Sequence, residues 1–161
     1  MKALIIYDSL YGNTERIAKA VKDAFDSGHE TTLLPVKDVD AGHLAGLDLL
    51  IAGSPTQGFR PTKLLQKFFS EIPRGGLKNV NIAAFDTRIA WQEIHLRVLK
   101  IMMRQFGYAA NPIAKALVKK GGKLIIPPEG FFVKETEGPL KEGEEERAKE
   151  WGRKVIEKMI L

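Results

Sequence analysis

Ser9, Gly12, Asn13 and Thr14 stand within six residues of one another, between an apolar run and an amphipathic one. Two hydroxyls, an amide and a glycine at the start of a helix can hold an anion. The first helical N–H groups point outward unpaired, hydroxyls donate, and glycine lets the chain turn tightly. The same residue types also cap ordinary strand-to-helix joints, so a phosphate site and a plain cap both fit this loop. The loop ends in neither Gly-Lys-Ser/Thr nor G-x-G-x-x-G, which excludes a Walker loop and the dinucleotide fingerprint. Two more loops carry polar chemistry. Ser54 to Arg60, SPTQGFR, offers a proline-ordered turn, a hydroxyl, an amide and one aromatic ring. Asp86, Thr87 and Arg88 follow an apolar segment that ends at Phe85.

Composition narrows what these residues can do. The chain has 161 residues, 44% of them apolar, which suits a single globular domain spanning 1–161. It has no cysteine and three histidines. A disulfide framework, a thiolate metal site and a cysteine nucleophile are excluded, and redox chemistry would have to come from a bound organic cofactor. His29 and His43 lie in loops without ligand-spaced neighbours, and His95 falls near an apolar helical arc, so none is assigned a role. The opening apolar run, Ala3 to Tyr7, is too short for a signal-peptide core or a membrane span; the expected compartment is the cytoplasm. The net charge of +5 is unevenly placed: Ser54 to Pro128 holds 13 Lys and Arg against 3 Asp and Glu, while both flanks are slightly acidic.

Elements that would position these loops follow from periodicity. Ala3 to Tyr7 reads as a buried parallel strand, and Asn13 opens a helix that runs to about Ser27-Gly28, with Ile17, Ala20, Val21, Ala24 and Phe25 inward. Strands are expected at Thr31 to Val36, Asp48 to Ala52, Asn81 to Phe85 and Lys123 to Ile126, the last continuing at Gly130 to Val133. Helices are expected at Thr62 to Ile72, over Trp91 to Phe106, from Asn111 (cap) and Pro112 to Lys120, and from Gly143 to Leu161. Alternating strands and helices predict an α/β fold, a doubly wound five-stranded parallel sheet with helices on both faces. In such sheets the ligand sits beyond the carboxyl ends of the strands, which brings together the loops after Tyr7, Ala52 and Phe85.

Ser9-x-x-Gly12-x-Thr14 after an apolar first strand resembles the FMN phosphate loop of flavodoxins, and YDSLYGNTE is especially similar to the flavodoxin module of flavodiiron proteins. GSPTQG resembles the second flavin-contacting loop of that family, and GFFVKETEGPLKEGEEERAKEWGRKV looks like the ending of its small members. The resemblance implies a flavodoxin-like fold and bound FMN. Ser9, Leu10, Tyr11, Gly12, Asn13 and Thr14 would wrap the phosphate; Pro55, Thr56, Gln57, Gly58 and Phe59, with Asp86, Thr87 and Arg88, would flank the ring. Gln57-Gly58 matches the peptide that turns toward the ring nitrogen N5, and Phe59 would stack on the ring or cover the sheet end. Two departures stand out: Tyr11 replaces the usual Ser or Thr, and no Tyr follows the fourth strand, so Trp91 covers the outer ring face, or that face stays open or is covered by a partner. Arg88, with Arg60, would set positive charge at the pyrimidine end and favour the anionic reduced flavin.

The implied function is electron transfer between redox partners; the alternative is an FMN-dependent quinone or small-acceptor reductase using NAD(P)H. A receiver domain would want acidic residues after the first and third strands, and the third ends in Gly53-Ser54. The basic residues are spread over helices without an aromatic-rich groove, which argues against nucleic acid. Trp91 to Phe106 carries a wide apolar arc and a narrow cationic stripe. It would be covered by the helix that follows, by self-association or a protein partner, or by a membrane surface. The basic middle of the chain predicts an acidic redox partner.

Overall fold

The strands are set by apolar runs that alternate between two buried faces. In a computed structural model, which describes residues 1–25 and 27–161 and only the backbone of Phe106, the elements in chain order are β1 (Lys2–Tyr7), α1 (Asn13–Lys22), β2 (Glu30–Pro35), β3 (Leu49–Pro55), α2 (Lys63–Glu71), β4 (Asn81–Ile89), α3 (Arg97–Phe106), α4 (Ala110–Lys119), β5 (Lys123–Leu124), β6 (Glu129–Val133) and α5 (Glu144–Ile160). The sheet order is β2-β1-β3-β4-β5, with β6 also on β4, and every strand pair is parallel. The reversal of strand order at β1 and β3 is the topological switch point of a doubly wound sheet.

β5 and β6 are two pieces of one edge position. β5 pairs with Asn81 and Ile82, β6 with Phe85 to Ile89. Pro127 and Pro128 stand between them and carry no N–H for a ladder, so the expected run from Lys123 to Ile126 stops at Leu124 and pairing resumes at Glu129.

Even and odd positions separate the core. Leu4, Ile6, Leu50, Ala52, Ile82 and Ala84 pack with Leu65 and Phe69 of α2 and Ile113, Ala114 and Leu117 of α4. Ala3, Ile5, Leu49, Ile51, Ala83 and Phe85 pack with Ile17 and Val21 of α1 and Ala148, Trp151 and Val155 of α5. Phe85, Phe131 and Trp151 meet edge-to-face with centroids 6.0 to 6.2 Å apart. Gly53 lies against that cluster, and a Cβ there would stand 2.0 Å from Phe85 Cζ.

β3 and β4 run further than hydrophobicity suggests: Ser54 pairs with Asp86 and Pro55 with Thr87. The expected helix over Trp91 to Phe106 is two pieces. A single 3-10 turn covers Trp91–Glu93, Ile94 and Leu96 are extended, and α3 begins at Arg97. Leu96 caps α3 without a side-chain bond, so nothing local fuses the two. α1 ends at Lys22, short of the expected Ser27-Gly28.

Candidate functional site

The carboxyl ends of β1, β3, β4 and β6 lie side by side, and a cleft opens above them. It is lined by Ser9, Leu10, Tyr11, Asn13 and Thr14 of the first loop, Pro55 and Thr56 of the second, Thr87, Arg88 and Ile89 of β4, and Val133 and Thr136 beyond β6.

The first loop is built to present donors. Gly12, at φ +88°, is the N-cap of α1 in the left-handed conformation, with nothing within 4 Å of where a Cβ would be. That conformation favours glycine. Ser9 Oγ accepts from the N–H groups of Gly12 (3.1 Å) and Glu15 (3.3 Å), so the loop is braced while the Ser9 hydroxyl keeps its own proton to donate. The N–H groups of Asn13 and Thr14 find no acceptor among the described residues; they are first-turn donors at the positive end of α1. Thr14 and Thr87 share a buried hydroxyl–hydroxyl bond of 2.8 Å. One such bond uses one of the two protons, so the pair keeps a donor of its own. The amide of Asn13 turns away and donates to the Glu137 carbonyl at 3.1 Å, tying the loop to the hairpin closed by Val133 and Leu140; Asn13 offers its backbone to the cleft. Leu10 and Tyr11 are half exposed at the mouth.

The second loop is a tight hairpin turn. Gln57 and Arg60 exchange two backbone bonds of 2.8 and 2.9 Å, with Gly58 at φ +49° and Phe59 at φ +69° between them. Positive φ at both central residues is the type I′ geometry, and at Phe59 it is a strained conformation for a residue with a side chain. Ser54 Oγ accepts from Thr62 N at 3.0 Å and donates to the Pro55 carbonyl, fixing the loop base. Thr56 N donates to the Thr87 carbonyl and Thr56 Oγ1 accepts from Ala109 N at 3.1 Å. Gln57, Gly58 and Phe59 stand at the end of this turn and not along the cleft wall.

The third loop separates its residues. Thr87 faces the first loop. Asp86 is fully buried, receives Arg88 Nε at 2.6 Å and the second guanidinium nitrogen at 2.7 Å, and accepts from Ala110 N at 2.8 Å. Burial pushes the Asp86 carboxyl above its ordinary range, and Arg88 and the Ala110 N–H pull against that shift. Arg88 lies between Gly130, where a Cβ would come within 2.1 Å of the guanidinium, and the Tyr108 ring at 3.9 Å. Asp86 therefore positions Arg88 and α4 and does not line the cleft, while Arg88 lines it with its charge matched. Trp91 is exposed, with Lys100 Nζ 4.9 Å from its ring centre.

Sequence reasoning missed Ile89, Val133 and Thr136. Val133 ends β6, and the rule that ligands gather at the carboxyl ends of strands, applied to the last strand as well as to the first three, would have pointed to it. Thr136 carries no such signal, because the hairpin at 133–140 brings it back.

Comparison with known proteins agrees with this fold. The flavodoxin family model matches residues 5–151. Among curated proteins, "Probable flavodoxin 1" of Bacillus subtilis is 33% identical over 86 residues, covering 52% of this chain and 54% of that one. A self-sufficient cytochrome P450 monooxygenase of Penicillium camemberti is 32% identical over 92 residues, 55% of this chain and 9% of its own length. The chain thus spans about half or much less of the curated relatives it matches. Flavodoxin 2 of Bacillus cereus superposes with a TM-score of 0.75 at 25% identity, over 98% of this chain and 99% of that one. A flavodoxin from the domain Archaea gives 0.75 at 22%, covering all of both chains. Rubredoxin oxygen:oxidoreductase of Desulfovibrio gigas gives 0.71 at 20%, over 99% of this chain and 37% of that one. The two matches under 25% identity carry the fold alone.

FMN is the cofactor of the matched family, and the residues present fit it. Free first-turn N–H groups, a Ser9 hydroxyl with a proton to give and the Thr14–Thr87 pair suit a phosphate. No acidic side chain lines the cleft among the described residues. From its strand order, its donor-rich first loop and the match over most of its length, the chain belongs to the flavodoxin family of FMN-binding electron-transfer proteins.

Proposed function

We propose that this protein carries electrons between redox partners on FMN held over the carboxyl ends of β1, β3 and β4. The observation that carries the reading is the first loop: Ser9, Asn13 and Thr14 line one cleft with hydroxyl donors and unpaired first-turn N–H groups, and among the described residues no side chain in the cleft is arranged as a base with a nucleophile. Backbone N–H groups of Leu10, Tyr11, Asn13 and Thr14, with the hydroxyls of Ser9 and Thr14, hold the phosphate, and Gly12, whose own N–H is taken by Ser9 Oγ, turns the loop around it. Pro55 and Thr56 flank the ring on one side, with the turn at Gln57, Gly58 and Phe59 beyond them, Thr87 and Arg88 lie on the other, and Asp86 holds Arg88 in place. The flavin supplies the redox chemistry when bound; the chain supplies binding, orientation and a local field. Because Asp86 matches Arg88, the positive field at the ring comes from Arg60 and the helices of the basic middle segment more than from Arg88.

The redox partner is acidic and partly apolar, and it docks on α3. Leu96, Val98 and Ile101 are 69%, 71% and 58% exposed, which is unusual for three large apolar side chains within six residues. Arg97, Lys100 and Arg104 share the helix, and no acidic residue falls between Ile94 and Ala109. That stripe of one sign disfavours pairing with a second copy and favours an anionic surface. Among the described residues α3 packs chiefly on the turn at Trp91–Glu93 and has no comparable contact with α4, so its exposed face is open to a partner outside the chain. The proposed setting is the cytoplasm. Among the described residues no helix is long and apolar enough to cross a membrane.

Two assays test the reading. Purified holoprotein should show little NAD(P)H:quinone turnover by itself, and its bound FMN should be reduced by NAD(P)H only once a flavodoxin reductase is added. Fast turnover without a reductase would replace the carrier by a quinone reductase. Flotation with anionic vesicles should leave the protein unbound, and co-flotation would reassign α3 to a membrane surface.

A further inference from the structure

A second opening, of about 400 Å3, lies between α2 and α4, on the sheet face away from α1 and α5. Pro61, Phe69, Pro112 and Ala116 give it an apolar floor, and Arg60, Lys119 and Lys120 stand along its rim. Its neutral polar groups are already satisfied: Gln66 Nε2 donates to the Pro61 carbonyl at 2.7 Å, and Lys120 Nζ reaches the Ser70 carbonyl at 3.4 Å. Arg60 and Lys119 have no acidic partner among the described residues. The nearest acid on α2, Glu71, is 3.9 Å from Lys67 and belongs to that pair.

An apolar floor under unpaired cations selects one class of ligand. The floor removes a ring or short alkyl chain from water, and the rim supplies charge-assisted donors to an acid group. A neutral apolar molecule would leave the cations unused, and a free inorganic anion would leave the floor wet. The volume is at the small-molecule scale, roughly 300 to 1,000 Å3, which favours a whole small ligand over one inserted side chain. We propose that this groove is a binding site for a small amphipathic anion, an aromatic or aliphatic body carrying one carboxylate, phosphate or sulfonate, separate from the flavin cleft. Arg60 belongs both to this rim and to the turn it closes with Gln57, so the two sites share a loop.

The test uses 8-anilinonaphthalene-1-sulfonate and its uncharged counterpart N-phenyl-1-naphthylamine, titrated by calorimetry into FMN-loaded and FMN-free protein. The sulfonate should bind at one site in both forms, and the neutral analogue at least tenfold more weakly. Lys119→Glu, which removes a rim cation, and Ala116→Trp, which fills the floor, should each weaken the sulfonate at least tenfold. Ile101→Glu on α3 should leave it unchanged, and circular dichroism of each variant should match the parent. Binding that FMN displaces, that ignores both groove variants, or that Ile101→Glu abolishes would overturn the proposal by placing the probe in the flavin cleft or on α3. Because the FMN-free arm stands by itself, this result is independent of whether FMN binds.

Discussion

Thr87 shows how much one hydroxyl does at this site. It joins β4 to the start of α1 through Thr14, across 73 residues of sequence, between two buried residues that line the cleft. Thr87→Val keeps the shape and removes the bond, leaving the Thr14 hydroxyl without its partner. The expected cost is about 1 to 2 kcal/mol, read by urea unfolding, together with weaker FMN binding. Asp86 carries a larger share. It is buried with three donors aimed at it, and Asp86→Ala leaves Arg88 and the α4 terminus facing an apolar gap. Removing one side of a buried pair costs about 3 to 5 kcal/mol, so the variant should unfold at distinctly lower denaturant, and an unchanged midpoint would show that Arg88 finds another anion. The pairing was legible in principle: residues two apart on a strand share a face, which puts Asp86 and Arg88 together. Reading the pair as two separate flavin contacts overlooked that a cation and an anion on one face satisfy each other first.

At the scale of elements, the sequence specified what repeats and concealed what interrupts. The buried strands, the apolar stripes of α1, α2 and α5 and the loops between them follow from period and punctuation. The strand ends did not, because Ser54, Pro55, Asp86 and Thr87 pair through main-chain atoms that side-chain hydropathy does not report. The break before α3 was equally silent. Apolar spacing continues through Ile94 and Leu96, and from Ala90 to Leu96 there is no Ser, Thr, Asp or Asn to mark a start. The interior is less forgiving than the ends. Gly53 is where β3 passes the Phe85 ring, and Gly53→Ala forces a Cβ into that ring. Overpacking of this kind costs about 1 to 3 kcal/mol, and thermal unfolding should show a lowered Tm.

For the whole molecule, the proposed partner follows from charge placement and the proposed chemistry from the flavin. The excess of positive charge between Ser54 and Pro128 covers the second and third loops, α2, α3 and α4, so an acidic partner should be steered to that part of the molecule. The rate of electron transfer to such a partner should fall as salt rises from about 0.01 to 1 M, over which the screening length drops from about 30 to 3 Å. A rate indifferent to ionic strength would remove the electrostatic account of docking. All of this depends on the cleft holding FMN. The direct measurement is a fluorescence titration of FMN with the flavin-free protein, followed by an absorbance spectrum of the purified complex. The account predicts saturable quenching at one FMN per chain, weakened by Thr87→Val, and flavin bands that stay with the protein through gel filtration. A colourless protein that leaves FMN fluorescence unchanged would contradict it.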